Sequence, residues 1–546
     1  MAISTLQRNK RRNYLGWLAI LSALALSAPV LIIASYGFTN AADVWLHLWH
    51  TVLIDYVRDS LLLMLGVAIG VLLLGVSTAW LTSRCEFPFR RVLSLLLLLP
   101  MAMPGYIIAY SYSGLLDFAG PVQTWIRNVS GLRYGQYWFP EIHSLGGAIV
   151  VLSLVLYPYV YLMTRAAFLS QSTSLMDVSR SLGRTPLNAF FTVILPMSRP
   201  AIVAGLSLAL METLADYGTV QFYGISTFTT GIFRTFYGFG DVAAASQLAA
   251  MLLGFVFLLI ALEKYSRRRV GYFSSSEQAS SDYRARLSLP LAAVSVLCCL
   301  LPVLFGFLLP AGVLLYWSLS SNEWHSADFF HIAGHSLMLA ALAAFVAVLL
   351  ALVMAYAIRQ GKGRLLRFSV QTASLGYALP GTIIAIGVVI GFAWLDHHLV
   401  PVFESTFNIQ FGLLFSGTLV ALVFAYTVRF LAVSLGAVQS GLSAIKPSVD
   451  YSARLLGRRP VQILREIHLP LLRSTVLTAF LIVFVDVLKE LPATLILRPF
   501  NFNTLAVRAY ELASDERLMD AAPAALMIVL VGLIPVFLLN RSITKS

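Results

Sequence analysis

Four carboxylates stand where acids are expensive. Glu212 and Asp216 follow an apolar run that begins after Arg199, and Asp486 and Glu490 follow one that begins after Arg473. From either arginine, twelve uncharged residues cover about 18 Å at helical rise, less than the ~30 Å of bilayer hydrocarbon. Glu212 and Asp486 are therefore expected within the outer half of a membrane. Asp216 and Glu490 come one turn later, on the same face as the first acid of each pair. An acid in a span costs about 2.5–3.5 kcal/mol on insertion scales and should face a bundle interior or a water-filled path. Two uses fit. Carboxylate oxygens lining a path suit a hard cation. Alternatively the acids pair locally: Lys489 lies three residues from Asp486, and Arg234 and Arg508 could fold back on Asp216 and Glu490. Sequence leaves both open.

Other reactive residue types form no constellation. The only Gly-Lys, at Gly361-Lys362, lacks the upstream Gly and the following Ser or Thr of a phosphate loop, so the chain has no ATPase site of that kind. The nine histidines make no HExxH pattern, and His397-His398 is expected at an outer helix end in an interfacial role. Cys85, Cys298 and Cys299 offer neither a disulfide framework nor a CxxC pair and read as buried, reduced thiols. No catalytic residue, cofactor or metal site is expected; the chain reads as a non-enzyme.

The elements that must position the acids follow from composition. Of 546 residues, 59% are hydrophobic and 12% charged, far from the proportions of a soluble domain. Ten apolar stretches are long enough to span a bilayer, and the two shorter ones after Arg199 and Arg473 complete the topology, giving twelve helices in an all-α polytopic membrane protein. The basic start (Arg8, Lys10, Arg11, Arg12) before an apolar run also describes a signal peptide, but the run is long and more spans follow, so an uncleaved first helix is expected. With the N-terminus inside, 30 of the 38 Lys and Arg residues fall in inner segments and eight outside. That asymmetry puts both termini in the cytoplasm and assigns the net charge of +13 to orientation, not to nucleic-acid binding.

The chain repeats itself. At an offset of 274, Arg180, Leu182, Gly183, Arg184, Pro186, Leu195, Pro196 and Arg199 match Arg454, Leu456, Gly457, Arg458, Pro460, Leu469, Pro470 and Arg473, and Phe228, Thr230 and Arg234 match Phe502, Thr504 and Arg508. Pro104-Gly105 matches Pro380-Gly381 at 276. A polar stretch divides the copies, so the expected organisation is a first half at 1–265, a cytoplasmic linker at 266–288 and a second half at 289–546. Six helices per half make the repeat parallel.

The strongest repeated signal lies in an inner loop of each half. It reads Asp177-Val-Ser-Arg180-Ser-Leu-Gly183 followed by Val193-Ile-Leu-Pro196, and Tyr451-Ser-Ala-Arg454-Leu-Leu-Gly457 followed by Ile467-His-Leu-Pro470. The pattern predicts a short amphipathic helix turned sharply at Gly, a second short helix, and a Pro that resets the chain toward the next span.

This pattern resembles the coupling motif of permease subunits in bacterial ABC importers, E-A-A, three residues, G, nine residues, I-x-L-P. The first copy has Asp177 for Glu, and the second has Tyr451. Both keep the Gly, the spacing and the Leu-Pro. The segments 208–234 and 488–518 resemble the fused permeases for ferric iron. The resemblance implies a permease in the bacterial inner membrane, two copies of a cytoplasmic ABC ATPase docked on Asp177, Arg180, Gly183, Pro196, Tyr451, Arg454, Gly457 and Pro470, a soluble substrate-binding protein outside, and lipid around it. Related permeases carry thiamine or phosphonates, and a secondary transporter driven by an ion gradient shares the twelve-helix plan.

Overall fold

The computed structural model describes residues 14–38, 42–133, 135–171, 181, 186–267, 285–361, 363–408 and 412–545. Among these, eleven helices are long and apolar enough to cross a membrane: α1 Tyr14–Tyr36, α2 Leu53–Arg84, α3 Leu145–Ser170, α4 Phe190–Ala215, α5 Val242–Tyr265, α6 Leu289–Ser320, α7 Ala327–Gln360, α8 Gly381–Thr406, α9 Leu419–Ala444, α10 Pro460–Leu488 and α11 Leu518–Val536. The expected span near Arg91–Asp117 is instead a bent pair, Arg90–Ala102 and Gly105–Ser130, crossing at 93°. Pro104 and the extended backbone before it break the helix there. Counting that pair as one span restores twelve. The only strand pairing among the described residues is a parallel two-residue bridge, Cys85–Glu86 with Ala285–Arg286, so the fold class is all-α as expected. Of the thiols, Cys85 and Cys299 are buried as expected, but Cys298 is exposed.

Two spans differ from the sequence expectation in length. The helices holding Arg199 and Arg473 begin at Phe190 and Pro460 and run 26 and 29 residues. The arginines are therefore inside helices, and no span is twelve residues short. The Leu-Pro pair does not reset the chain between helices. In α4, α6 and α10 a five-residue π turn (Phe190–Ile194, Leu304–Leu308, Leu464–His468) leads directly into Leu195-Pro196, Leu309-Pro310 and Leu469-Pro470. Proline cannot donate to the carbonyl four residues back and its ring crowds that carbonyl. A wider turn just before it lets the helix run on through the proline.

Helix contacts use small residues, as expected where lipid gives no hydrophobic reward for association. On α2, a Cβ at Gly66, Gly70 or Gly75 would strike Ile149, Ser153 or Val160 of α3. These glycines let the two backbones approach.

Two compact units result, and they cut across the sequence halves. One comprises Met1–Ser35 and His335–Phe502, the other Tyr36–Gly334 and Asn503–Ser546. Within the first, α1 packs on α8, where Gly387 meets the backbone of Pro29. Within the second, α6 and α11 pack among helices of the first half: Tyr112 Oη donates to Phe305 O at 2.7 Å, Gly114 lies against Trp317 and Leu518, and Gly532 lies against the backbone of Ala102. The expected division at 1–265 and 289–546 follows the repeat in the sequence, whereas the compact units draw helices from both halves. Most of the expected linker lies outside the described residues.

Candidate functional site

The four acids occupy corresponding places in the two repeats, one pair at the end of α4 and one at the end of α10. Glu212 and Asp486 are on the last turn or two of their helices. Asp216 and Glu490 lie just past the helix ends, with backbone that no longer continues the helix. The expectation that each pair shares one helical face is corrected accordingly. The second acid turns to cap a new short helix, Gly218–Phe222 or Pro492–Leu497. Asp216 Oδ1 accepts from the backbone N–H of Thr219 (3.0 Å) and Val220 (3.2 Å), and Oδ2 accepts from Thr219 Oγ1 (2.9 Å). Glu490 does the same: Oε1 accepts from Ala493 N (3.0 Å), and Oε2 from Thr494 N (3.1 Å) and Thr494 Oγ1 (2.9 Å). Carboxylates at helix starts answer the unpaired N–H groups and the helix dipole.

Charge compensation separates the repeats. Glu490, 4% exposed, meets Arg429 with Nη1 2.6 Å from Oε1. Arg429 was expected at the inner boundary of a span. It sits ten residues into the 26-residue α9, about 15 Å along its axis, so the ion pair is at mid-helix depth. Tyr426 closes the network through Thr494, with 2.6 Å between hydroxyls. Gly381 is pressed against it: a Cβ there would overlap the Arg429 guanidinium and the Glu490 carboxylate. In the first repeat, at the same offset, Arg429 is replaced by Val155. Gly105 again lies beside the acid, 3.4 Å from Asp216 Oδ2 to an ideal Cβ, with Thr219 and Leu152 alongside. No basic side chain stands at ion-pair distance from Asp216 among the described residues.

The other expected pairings divide. Asp486 is bonded to Lys489 at 2.8 Å, as the spacing suggested. Arg508, expected on Glu490, binds Glu323 at 3.0 Å. Arg234 does not neutralise Asp216 and hydrogen-bonds Tyr56. No cluster of three or more His, Cys, Asp or Glu suited to a metal ion occurs among the described residues.

Of the first coupling motif, Asp177, Arg180 and Gly183 lie outside the described residues, and Pro196 is in the first turn after the π segment of α4. The second copy is described throughout. It is a nine-residue helix, Pro447–Leu455, with Asp450 in its first turn and Arg454 in its last, each favourable to the dipole. Gly457 ends it at φ +78°. Arg458 N donates to Ala453 O (3.1 Å) and Gly457 N to Arg454 O (3.0 Å), the paired bonds of a Schellman turn. Ala453 is buried against the rest of the chain, while Tyr451, Leu455 and Leu456 are 63%, 88% and 81% exposed. An apolar tip displayed on a rigid turn is what a docking surface requires.

Sequence reasoning missed the residues that hold this helix. Arg359, Asp450 and His468 meet behind it, and none belongs to the conserved-looking motif letters. Arg429 was missed because an isolated Arg after an apolar run reads as the end of a span.

The family described as "Binding-protein-dependent transport system inner membrane component" matches residues 70–272 and again 347–545. The chain is 26% identical over 546 residues to the Fe(3+)-transport system permease protein FbpB 2 of Haemophilus influenzae, covering 97% of this chain and 98% of that one. It is 25% identical over 233 residues to the molybdenum transport system permease protein ModB of Escherichia coli K12 (41% of this chain, 96% of the relative). With the sulfate transport system permease protein CysT of the same organism, identity is 24% over 267 residues, 47% of this chain and 92% of the relative.

Proposed function

Because this chain belongs to the family of binding-protein-dependent transport system inner membrane components, we propose that it is the permease of an ATP-driven importer whose cargo is ferric iron. The observation that carries the cargo is the extent of similarity. The Fe(3+)-transport relative aligns along almost the whole chain, both repeats included, whereas the molybdenum and sulfate relatives align with less than half of it. The acids favour the same class. Asp216 has three hydrogen bonds on a carboxylate that offers about four lone-pair sites, which leaves Oδ2 with capacity for a passing hard cation.

In this reading the chain supplies the path and its partners supply the energy and the cargo. ATPase subunits grip Tyr451, Leu455 and Leu456 beside Gly457, and grip the first motif around Asp177, Arg180 and Gly183. A binding protein delivers cargo at the opposite membrane face, and ATPase closure alternates the access of the path. Pro196 and Pro470 follow the π turns through which that movement reaches α4 and α10. Glu490 and Asp486, each already neutralised by a basic neighbour, hold the frame. Asp216, with Glu212 one turn before it, lines the path.

The test is uptake into proteoliposomes holding the chain with its ATPase and binding-protein partners. Labelled ferric ion should accumulate with ATP inside the partner compartment and not with an ion gradient. Accumulation of molybdate, sulfate, phosphonate or thiamine in place of iron overturns the cargo; gradient-driven uptake without ATP overturns the importer.

A further inference from the structure

We infer that Arg359, Asp450 and His468 form a positioning link that carries movement of the second docking helix into α7, α9 and α10, and that the first repeat lacks this link. The inference rests on the permease reading given above and adds a division of labour between the two motifs.

The link is built from four elements of one compact unit. Arg359, next to last in α7, places both Nε and Nη2 2.7 Å from Asp450 Oδ2 on the docking helix. The same guanidinium donates to Leu442 O, and through Nη2 to Ile445 O at 2.9 Å, so it also closes the end of α9. Asp450 Oδ1 lies 2.7 Å from Nε2 of His468, a fully buried side chain at the last position of the π turn in α10. Tyr356, one turn before Arg359, stands edge-on to the His468 ring at 5.5 Å between centroids and donates to Pro460 O at 2.6 Å. A planar guanidinium offers five donors in a fixed fork, enough for two contacts to the carboxylate and one to each carbonyl, where a lysine ammonium has only three.

The first repeat contains only part of this. Arg84, at the end of α2, donates to Phe168 O at 2.5 Å and Gln171 O at 3.0 Å. Those carbonyls match Leu442 and Ile445 at the repeat offset of 274, so the helix-end cap is duplicated. At the same offset Asp450 corresponds to Met176 and His468 to Ile194. Arg84 Nε, the nitrogen whose counterpart meets Asp450, is buried with no partner among the described residues.

The mechanical consequence follows from where the link attaches. A docking helix tied only by its flanking loops can shift without moving the spans. One tied by an ion pair to the end of α7 and by a close imidazole contact to the π turn of α10 cannot. His468 is two residues before Pro470, so the pull is applied at the π turn of α10. The far end of α10 leads within two residues to Glu490, whose partner Arg429 is on α9. Movement at Asp450 is thereby delivered to the acid network by two helices whose inner ends are both held by the link.

The experiment compares uptake per ATP hydrolysed in reconstituted complexes. Asp450→Asn and His468→Gln should keep the ATPase bound, and hydrolysing near the unaltered rate, while the ratio of uptake to hydrolysis falls about tenfold. Asp450→Glu should restore most of the ratio, and Arg84→Gln should leave it nearly unchanged. In the permease alone, amide exchange across residues 460–470 should quicken in Asp450→Asn and not in Arg84→Gln. An unchanged ratio in Asp450→Asn overturns the link. So does a loss of ATPase binding that accounts for all the lost uptake, since that is a folding role. If the unaltered complex shows no ATP-driven uptake, the permease reading fails first, and the exchange measurement alone then decides whether Asp450 holds α10.

Discussion

Arg429 is a single residue that changes what a carboxylate can do. Its guanidinium fixes Glu490, and with Val155 at the matching position Asp216 has hydrogen bonds but no ion pair among the described residues. Removing one member of a buried pair strands the other charge, a loss of about 3–5 kcal/mol. Glu490→Gln and Arg429→Gln are therefore expected to lower the melting temperature of the purified permease markedly, with the double variant recovering part of it. Asp216→Asn keeps shape and both backbone bonds to Oδ1, with the Thr219 hydroxyl turned to accept from the new amide N–H, so it should melt near the unaltered protein yet lose most ferric uptake; normal uptake would remove it from the path. At Gly457, φ is +78° and a Cβ meets open space. Gly457→Leu thus costs about 1–2 kcal/mol of backbone strain in the turn without crowding this chain. It should insert normally and fail to retain the ATPase on co-purification, with Gly457→Asn milder. The acids and Gly457 were legible because each violates a local rule: charge in an apolar run, or Gly just after a short amphipathic helix. Arg429 was not, because its partner is 61 residues away and nothing local announces the pairing.

At the scale of elements, hydropathy located the long helices well, but it misread where several begin. Arg199 and Arg473 suggest inner boundaries, yet the helices start at Phe190 and Pro460. Leu-Pro looks like a break when a straight α-helix is assumed, and a π turn accommodates it within a continuous one. Pro104-Gly105 and Pro380-Gly381 were legible as a repeat but not as the place where a helix start is pushed against an acid. That contact yields a graded expectation. A methyl at Gly381 would overlap both members of the Arg429–Glu490 pair, whereas at Gly105 the tightest neighbour is Thr219 Oγ1 at 3.0 Å. Gly381→Ala should therefore lose more thermal stability than Gly105→Ala, and the order of the two melting temperatures checks it. Overpacking of this kind costs about 1–3 kcal/mol.

For the whole molecule, the distribution of Lys and Arg predicts which loops face the cytoplasm. Arg199, Arg429 and Arg473 all lie inside helices, which takes three of the 30 inner charges and leaves 27 against eight, so the asymmetry stands. Single cysteines at Ser275 and Ser443 should resist an impermeant thiol reagent in intact cells, while one at Ser405 should label. The helix exchange could not be read from hydropathy, which ranks segments as apolar without saying what they touch. It bears on biosynthesis. A ribosome delivers α1 long before the helices that cover it, and delivers α2–α6 long before residues 503–546, which belong to the same compact unit. Neither unit has all its parts until the second half is being made, and one waits for the last 44 residues of the chain. Separately expressed halves, 1–275 and 276–546, should each be degraded, and co-expression should rescue both. A nonsense mutation just after Phe502 would spare every residue of one unit and leave the other unfinished in the membrane, a nascent protein complete in one place and open to membrane proteases in the other.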